Sequence, residues 1–67
     1  MRDWLREKRR ERGLTEEHMA ERLGISAPYY SFIENGLRQK KMTIDFAVKL
    51  ADALSIPLDA VIRWETK

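Results

Sequence analysis

The stretch Ser26–Gly36, SAPYYSFIENG, decides the fold because it reads as a short helix with a marked beginning and end. Ser26 can accept a hydrogen bond from a backbone amide at the helix start, Pro28 fits the first turn, and Gly36 ends the helix. Directly before it, Leu23–Ser26 (LGIS) forms a tight corner behind another short helical segment. Two short helices joined in this way predict a helix-turn-helix, whose second helix reads the major groove in DNA-binding proteins.

Capping residues and glycines divide the rest of the chain into further helices. Apolar residues at helical spacing, with Ser, Thr or Pro at helix starts, predict five helices at about 3–12, 15–23, 26–35, 43–54 and 57–64. No segment alternates apolar and polar residues for long enough to form a strand. The sequence therefore predicts an all-α protein, and we expect residues 1–67 to form a single domain.

Composition argues against several classes of protein. There is no cysteine and one histidine, His18, so the chain offers no disulfide framework, no thiolate metal site and no cysteine nucleophile. The acidic residues are scattered over helix surfaces, so we expect no enzymatic activity, no metal and no cofactor. No apolar run is long enough for a membrane span or a signal peptide, so we expect a cytoplasmic protein without a membrane partner.

The net charge of +2 conceals an uneven distribution of charged residues. The segment after Gly36 carries Arg38, Lys40 and Lys41 with no acid among them. A cation that neutralises a DNA phosphate releases a counterion, so such a loop is suited to anchor a nucleic-acid backbone. These three residues are candidate phosphate contacts, with Asn35 as an uncharged addition, and a solvated flexible loop is the alternative.

The corner between the second and third helices has suitable residues. Gly24 can adopt the left-handed conformation, Ile25 can fill the space between the helices, and Ala20 lets them approach closely. Ordinary helical hairpins also contain a Gly and an Ala, so the corner alone leaves the motif undecided.

Further sequence motifs lie outside this corner, both before and after it. The sequence resembles the Cro/C1-type (XRE-like) helix-turn-helix repressors in five segments that occur in the family's order: LREKR (5–9), GLT (13–15), MAERLGIS (19–26), IENG (33–36) and KLADAL (49–54). The resemblance implies a compact five-helix, lambda-repressor-like domain. It also implies that this domain binds double-stranded DNA, usually as a homodimer on a palindromic operator, with the third helix in the major groove.

The resemblance implies roles for individual residues as well. Arg9 and Glu34 match an ion pair that joins the first helix to the third in family members and would fix the angle of the reading helix; their spacing alone would suggest surface charges. Tyr30 and Ile33 match buried positions. The candidates for facing bases are Ala27, Pro28, Ser31 and Phe32, with Tyr29 able to reach a base or a phosphate through its hydroxyl.

Some residues depart from the family's pattern. Glu16 stands where a glutamine usually touches DNA, and its charge would repel a phosphate. His18 replaces the usual acid of a capping box, so we expect one reciprocal hydrogen bond to be lost. On the reading face, Ala27, Pro28 and Phe32 offer no bidentate partner to a base, so they would pack on thymine methyl groups or leave recognition to DNA shape, or to Ser31, Tyr29 and the basic segment after Gly36. Two alternatives to base contact remain. Pro28 would only start the helix, and Phe32 would be a partly buried or interface aromatic residue.

We therefore expect a sequence-specific transcriptional regulator, a repressor that binds a palindromic operator as a homodimer, with a regulatory protein partner as one means of control. The alternative is a protein-interaction module, antitoxin-like or adapter, on the same fold, because exposed apolar groups also bind proteins. The apolar residues of the last helix are expected to be divided between the core and a dimer interface, or else to complete the core: Leu58, Val61, Ile62 and Trp64.

Overall fold

The computed structural model describes residues 1–66 and has five α-helices. In chain order they are α1 (Asp3–Glu11), α2 (Glu16–Leu23), α3 (Ala27–Glu34), α4 (Ile44–Leu54) and α5 (Leu58–Glu65). No strand occurs in the described range, so the predicted all-α class is confirmed. No helix within these residues is both long and apolar enough to cross a membrane.

Three of the helices begin at side chains that cap them. The hydroxyl oxygens of Thr15, Ser26 and Thr43 each accept a hydrogen bond from the backbone amide three residues later, at 3.1, 3.2 and 3.1 Å. Such caps satisfy amides that the first turn of a helix leaves without partners. The starts of α2, α3 and α4 therefore follow from local sequence.

The expectation that His18 breaks the capping box of α2 is wrong. Its ring Nδ1 accepts a hydrogen bond from the Thr15 amide at 3.4 Å, while Thr15 Oγ1 accepts one from the His18 amide at 3.1 Å. A neutral imidazole has one nitrogen with a free lone pair, so it can take the place of a carboxylate. The bond to the ring is long, and therefore weak, but both halves of the box are present.

The corner between α2 and α3 depends on backbone conformation at Gly24. This residue has φ 71°, in the left-handed region that favours glycine. A Cβ atom there would meet nothing within 4 Å, so the requirement is for the conformation and not for space. The next residue, Ile25, is half-buried and packs against the core, and its amide donates to the carbonyl of Ala20 at 3.0 Å.

The core lies where the first four helices meet. Its largest fully buried apolar side chains come from all four: Leu5, Met19, Tyr30, Ile33, Leu50 and Leu54. A second, smaller cluster joins α5 to α4 through Ala47, Ala51 and Val61. Val61 has no exposed surface, so it belongs to the core and is not available to the dimer interface for which it was a candidate.

Aromatic side chains fasten α5 to α1. The rings of Trp4 and Trp64 have centroids 5.7 Å apart, and Lys8 Nζ lies 4.9 Å from the centre of the Trp64 ring. Trp4 Nε1 also donates to Glu65 at 3.1 Å. Trp64 is therefore packed within the monomer. Of the four interface candidates, Ile62 is the exposed one, at 37%, while Leu58 and Trp64 are both half-buried.

Candidate nucleic-acid interface

The five residues predicted to face bases form two groups on α3, one exposed and one half-buried. Pro28 and Phe32 are exposed, with 42% of Phe32 accessible. The others, Ala27, Tyr29 and Ser31, are half-buried, and Ala27 and Tyr29 pack against the core. Because Tyr30 and Ile33 are fully buried on the opposite side, the open part of α3 is a narrow strip centred on Pro28 and Phe32.

The cations predicted to contact phosphate lie in the segment between α3 and α4, which we call the basic loop (residues 35–43). Arg38, Lys40 and Lys41 are all exposed. None of the three forms an ion pair with an acid in the part of the chain that the structure describes. Their charges are therefore available to a polyanion.

The structure brings the first of these cations, Arg38, against α3. The guanidinium carbon of Arg38 lies 5.8 Å from the centre of the Phe32 ring, a cation–π distance. The amides of Leu37 and Arg38 both donate to the carbonyl of Phe32, at 2.8 and 3.3 Å. The basic loop thus begins by folding back on the last turn of α3, which places the Arg38 cation next to the exposed Phe32 ring.

Leu37 is a residue of this surface that the sequence analysis did not single out. Its side chain is 54% exposed, and with Phe32, Arg38 and Lys40 it lines a shallow depression of about 290 Å³. The sequence could have indicated Leu37, because it is an apolar residue between the helix-ending Gly36 and the cations of the basic loop. Phe32 and Leu37 together form an exposed apolar surface with cations at its edge.

Asn35 is exposed, but its amide points back toward α3. Nδ2 donates to the Ser31 carbonyl at 2.9 Å and lies 3.4 Å from the Ser31 hydroxyl. These bonds hold both side chains against the end of the helix. A phosphate contact by Nδ2 of Asn35 would have to share or replace them.

Arg9 and Glu34 form a buried ion pair between α1 and α3. Arg9 Nε lies 3.0 Å from Glu34 Oε2, and Arg9 Nη2 lies 3.1 Å from Oε1, so the two groups meet at two points. Their side chains are 10% and 2% exposed. Arg9 Nη1 also donates to the Leu14 carbonyl at 2.9 Å, and Arg6 Nε lies 3.5 Å from Glu34. This geometry fixes the angle between α1 and α3.

The pair remains ionised near neutral pH. Burial alone would raise the pKa of the Glu34 carboxyl, but the hydrogen bonds and charge of Arg9, aided by Arg6, outweigh it and hold the pKa below its ordinary value. The bond to Glu34 raises the pKa of Arg9 despite burial. Burial raises the pKa of the Tyr30 phenol, and the neighbouring negative charge of Glu34 raises it further. The Tyr30 hydroxyl is buried without a hydrogen-bond partner of ordinary geometry in the described range.

The only histidine is used as a helix cap. His18 is exposed at the first turn of α2 and bonded to Thr15. Across residues 1–66, no group of three or more His, Cys, Asp or Glu side chains could hold a metal ion. The chemistry that α3 and the basic loop offer at the surface is apolar contact, hydroxyl groups and positive charge.

Comparisons with known proteins agree with this architecture. The family model described as Helix-turn-helix matches residues 5–61, which includes all of α2, α3 and α4. An uncharacterized HTH-type transcriptional regulator of Bacillus subtilis (strain 168), YqaF, is 41% identical over 44 residues, and this match covers 66% of the chain and 58% of the length of that protein. No solved structure gives a significant match. The chain belongs to the Cro/C1-type (XRE-like) helix-turn-helix family of DNA-binding regulators.

Proposed function

We propose that this protein regulates transcription by binding double-stranded DNA, with α3 in the major groove and the basic loop on the phosphate backbone. One observation carries the proposal: the open strip of α3 adjoins the basic loop, whose three exposed cations have no acidic partner among residues 1–66. Base contacts specify a sequence and phosphate contacts position the protein, so a DNA reader needs both surfaces together.

The reading chemistry in this proposal is mainly apolar. Phe32 and Pro28 pack on thymine methyl groups, which project into the major groove, and the hydroxyls of Tyr29 and Ser31 add hydrogen bonds at the edge of the strip. Ala27 permits close approach at the start of α3. Arg38 and Lys40 neutralise phosphates flanking the bases that Phe32 contacts, and Lys41 and Asn35 extend the contact along the backbone.

We further propose that the protein is a repressor that binds a palindromic operator as a homodimer. Two-fold dimers place their reading helices about one DNA turn apart, roughly 34 Å, so that each helix meets one half-site. Ile62 and Leu58 on α5 are the apolar residues with accessible surface that suit such contact. Regulation through a protein partner is compatible with the same surfaces.

The experiment begins with selection of bound duplexes from a random pool, followed by titration of the selected duplex at several salt concentrations. We expect the logarithm of the binding constant to fall linearly with the logarithm of salt concentration, by about 0.9 per phosphate contacted. Lys40→Ala should weaken binding evenly across sequences and reduce that slope by about one unit, whereas Phe32→Ala should relax preference at one base step.

Lys49→Ala is the matched control, because Lys49 is an exposed lysine on α4, outside the basic loop. It removes the same charge and should leave the salt slope nearly unchanged. Absence of binding at low salt, or an affinity that does not respond to salt, would contradict the proposed function.

A second candidate function is a protein-interaction module on the same fold. The exposed apolar pair Phe32 and Leu37, 42% and 54% accessible, favours it, because aromatic and apolar groups also form the centres of protein interfaces. Glu16 at the start of α2 favours it as well, since its charge repels phosphate. Failure to bind duplex DNA at low salt, together with a protein complex lost in Phe32→Ala and Leu37→Ala, would select this candidate.

A further inference from the structure

Arg2 is a buried charge that neither the sequence motifs nor the proposed DNA contacts explain. Only 7% of its surface is exposed, and in the described range it is one of three buried charged residues, with Arg9 and Glu34. It lies just before α1, where the sequence shows only a run of charged residues. A buried guanidinium must find partners for its donors.

The guanidinium of Arg2 joins three parts of the fold. Nη1 donates to the carbonyl of Ile33, near the end of α3, and at 3.1 Å to the carbonyl of Arg38. Nη2 donates to the carbonyl of Gln39. On its other side, Nε lies 2.9 Å from both carboxylate oxygens of Glu65 on α5, and Nη2 lies 2.8 Å from one of them. One side chain thus connects α3, the basic loop and α5.

These bonds hold the basic loop in a conformation that it would rarely adopt alone. Gln39 has φ 52°, in the left-handed region that residues other than glycine disfavour, and its carbonyl is one of the partners of Arg2. With the carbonyls of Arg38 and Gln39 both bonded to one rigid planar group, the backbone that carries Arg38 and Lys40 has a fixed path. Lysine could not replace this fork, since an ammonium is a single compact donor centre.

We propose that Arg2 is a positioning residue for DNA binding, which locks the basic loop to the end of α3 so that Arg38 and Lys40 meet phosphates while Phe32 reads the bases. The inference rests on the proposed function of this surface. Arg2 itself is buried and does not touch DNA. It orders the loop before binding, so association does not incur the entropic cost of ordering a flexible loop.

The first test uses the free protein and so does not depend on DNA. In Arg2→Gln, we expect amide hydrogen exchange at Leu37 and Arg38 to accelerate by about tenfold or more, while exchange at Leu50 in the core stays at the wild-type rate. Unchanged protection of the loop amides would overturn the proposal. The wild-type protein provides a measurement without substitution: separate, slowly exchanging Nη proton signals of Arg2 by NMR are expected, and a single averaged signal would overturn it.

The second test measures affinity for a labelled duplex recovered by selection from a random pool. Arg2→Gln and Arg2→Lys should both weaken binding by about tenfold, with the salt slope close to that of the wild type, since a positioning residue removes no phosphate contact. Arg63→Gln is the matched control, because its side chain is 64% exposed on α5 and it loses the same charge. It should bind as the wild type does.

Two outcomes separate the inference from the function on which it rests. Full recovery of affinity in Arg2→Lys, with a slope reduced by about one unit in Arg2→Gln, would show that Arg2 acts as a simple charge on phosphate and would overturn the positioning role. A wild-type protein that binds no duplex at low salt would overturn the proposed function, and the role of Arg2 in DNA binding with it. Loop protection in the free protein would still report whether Arg2 orders the loop.

Discussion

At the scale of single residues, Glu34 shows how a buried charge can specify an orientation. The residue is 1% exposed, and its carboxylate accepts two hydrogen bonds from Arg9 and has Arg6 nearby. Two desolvated charges add little net stability, whereas removing one strands the other at a cost of about 3–5 kcal/mol. The pair is therefore better understood as fixing how α3 is presented than as a source of stability.

Glu34 should make stability depend on pH in a defined direction. Its pKa in the folded protein lies below the ordinary value of 4.5, so its stabilising contribution is complete above that value and is lost as pH falls through it toward the folded pKa. In urea unfolding, Glu34→Gln should be less stable than the wild type by about 3 kcal/mol at neutral pH, with the difference shrinking at acid pH.

Glu17→Gln is the control for this measurement, because Glu17 is an exposed glutamate in the first turn of α2. Its unfolding free energy should stay within about 0.5 kcal/mol of the wild type at neutral pH. A difference between Glu34→Gln and the wild type that is constant from neutral to acid pH would mean that the Glu34 carboxylate is not held by its arginines.

Ser55 ends α4 in a conformation better suited to glycine. Its φ is 56°, and its amide donates to the carbonyl of Asp52 at 3.2 Å. Ser55→Gly should raise the free energy of unfolding by about 0.5–1 kcal/mol, because it removes the steric penalty of the left-handed region, whereas Ser55→Ala retains it and should not stabilise. Urea unfolding monitored by circular dichroism checks both variants, and equal stability of the two would contradict the argument.

The residues that sequence patterns indicate and those they miss differ in how far along the chain their partners lie. Phe32 and the loop cations could be predicted as candidate contacts because they stand next to a recognisable helix and its glycine stop. Arg2 was missed because its partners lie 31 or more positions away, at Ile33, Arg38, Gln39 and Glu65. Nothing local to Arg2 indicates those carbonyls. Only the folded chain brings them to it.

At the scale of helices, boundaries were predictable where a cap lies in the local sequence. Thr15, Ser26 and Thr43 each accept a bond from an amide three residues on, so the side chain alone locates the start. The expectation for His18 was wrong because the capping box needs only an acceptor, which a ring nitrogen supplies as well as a carboxylate does. Helical periodicity identifies Val61 as apolar but does not say which face of α5 packs against α4. Its burial against Ala47 and Ala51 therefore could not be predicted.

The attachment of α5 to α1 depends on the pair of tryptophans. Trp64→Ala removes a half-buried ring that contacts Trp4 and Lys8, so we expect the free energy of unfolding to fall by about 2 kcal/mol, below the range for fully buried aromatics. Trp64→Phe keeps an aromatic contact and should lose about half as much. Urea unfolding followed by fluorescence of Trp4 measures both, and an unchanged midpoint in Trp64→Ala would show that the contact is not stabilising.

At the scale of the whole molecule, a chain of 67 residues has a small core that contributes little stability. Association with a second copy would bury more apolar surface and add to that stability. Apart from Met1 and the Phe32 and Leu37 surface, exposed large apolar residues lie on both late helices: Ile62 is 37% exposed on α5, and Ile44 and Val48 are 62% and 47% exposed on α4. A two-fold dimer through α5 would use Ile62 with the half-buried Leu58 beside it in the first turn.

If the protein forms the proposed dimer through α5, substitution of Ile62 by aspartate should dissociate it. A charge placed in an apolar contact must be desolvated without a partner, so we expect the dissociation constant in sedimentation velocity to rise by at least about tenfold, equivalent to 1.4 kcal/mol. Ile44→Asp introduces the same charge on α4 and should leave the association through α5 intact.

Because each half-site alone binds more weakly than the pair, Ile62→Asp should also lose affinity for a selected palindromic duplex while retaining the salt slope per half-site. A wild-type protein that sediments only as a monomer at micromolar concentration, with and without DNA, contradicts the dimer, and dissociation by Ile44→Asp instead of Ile62→Asp would place the interface on α4.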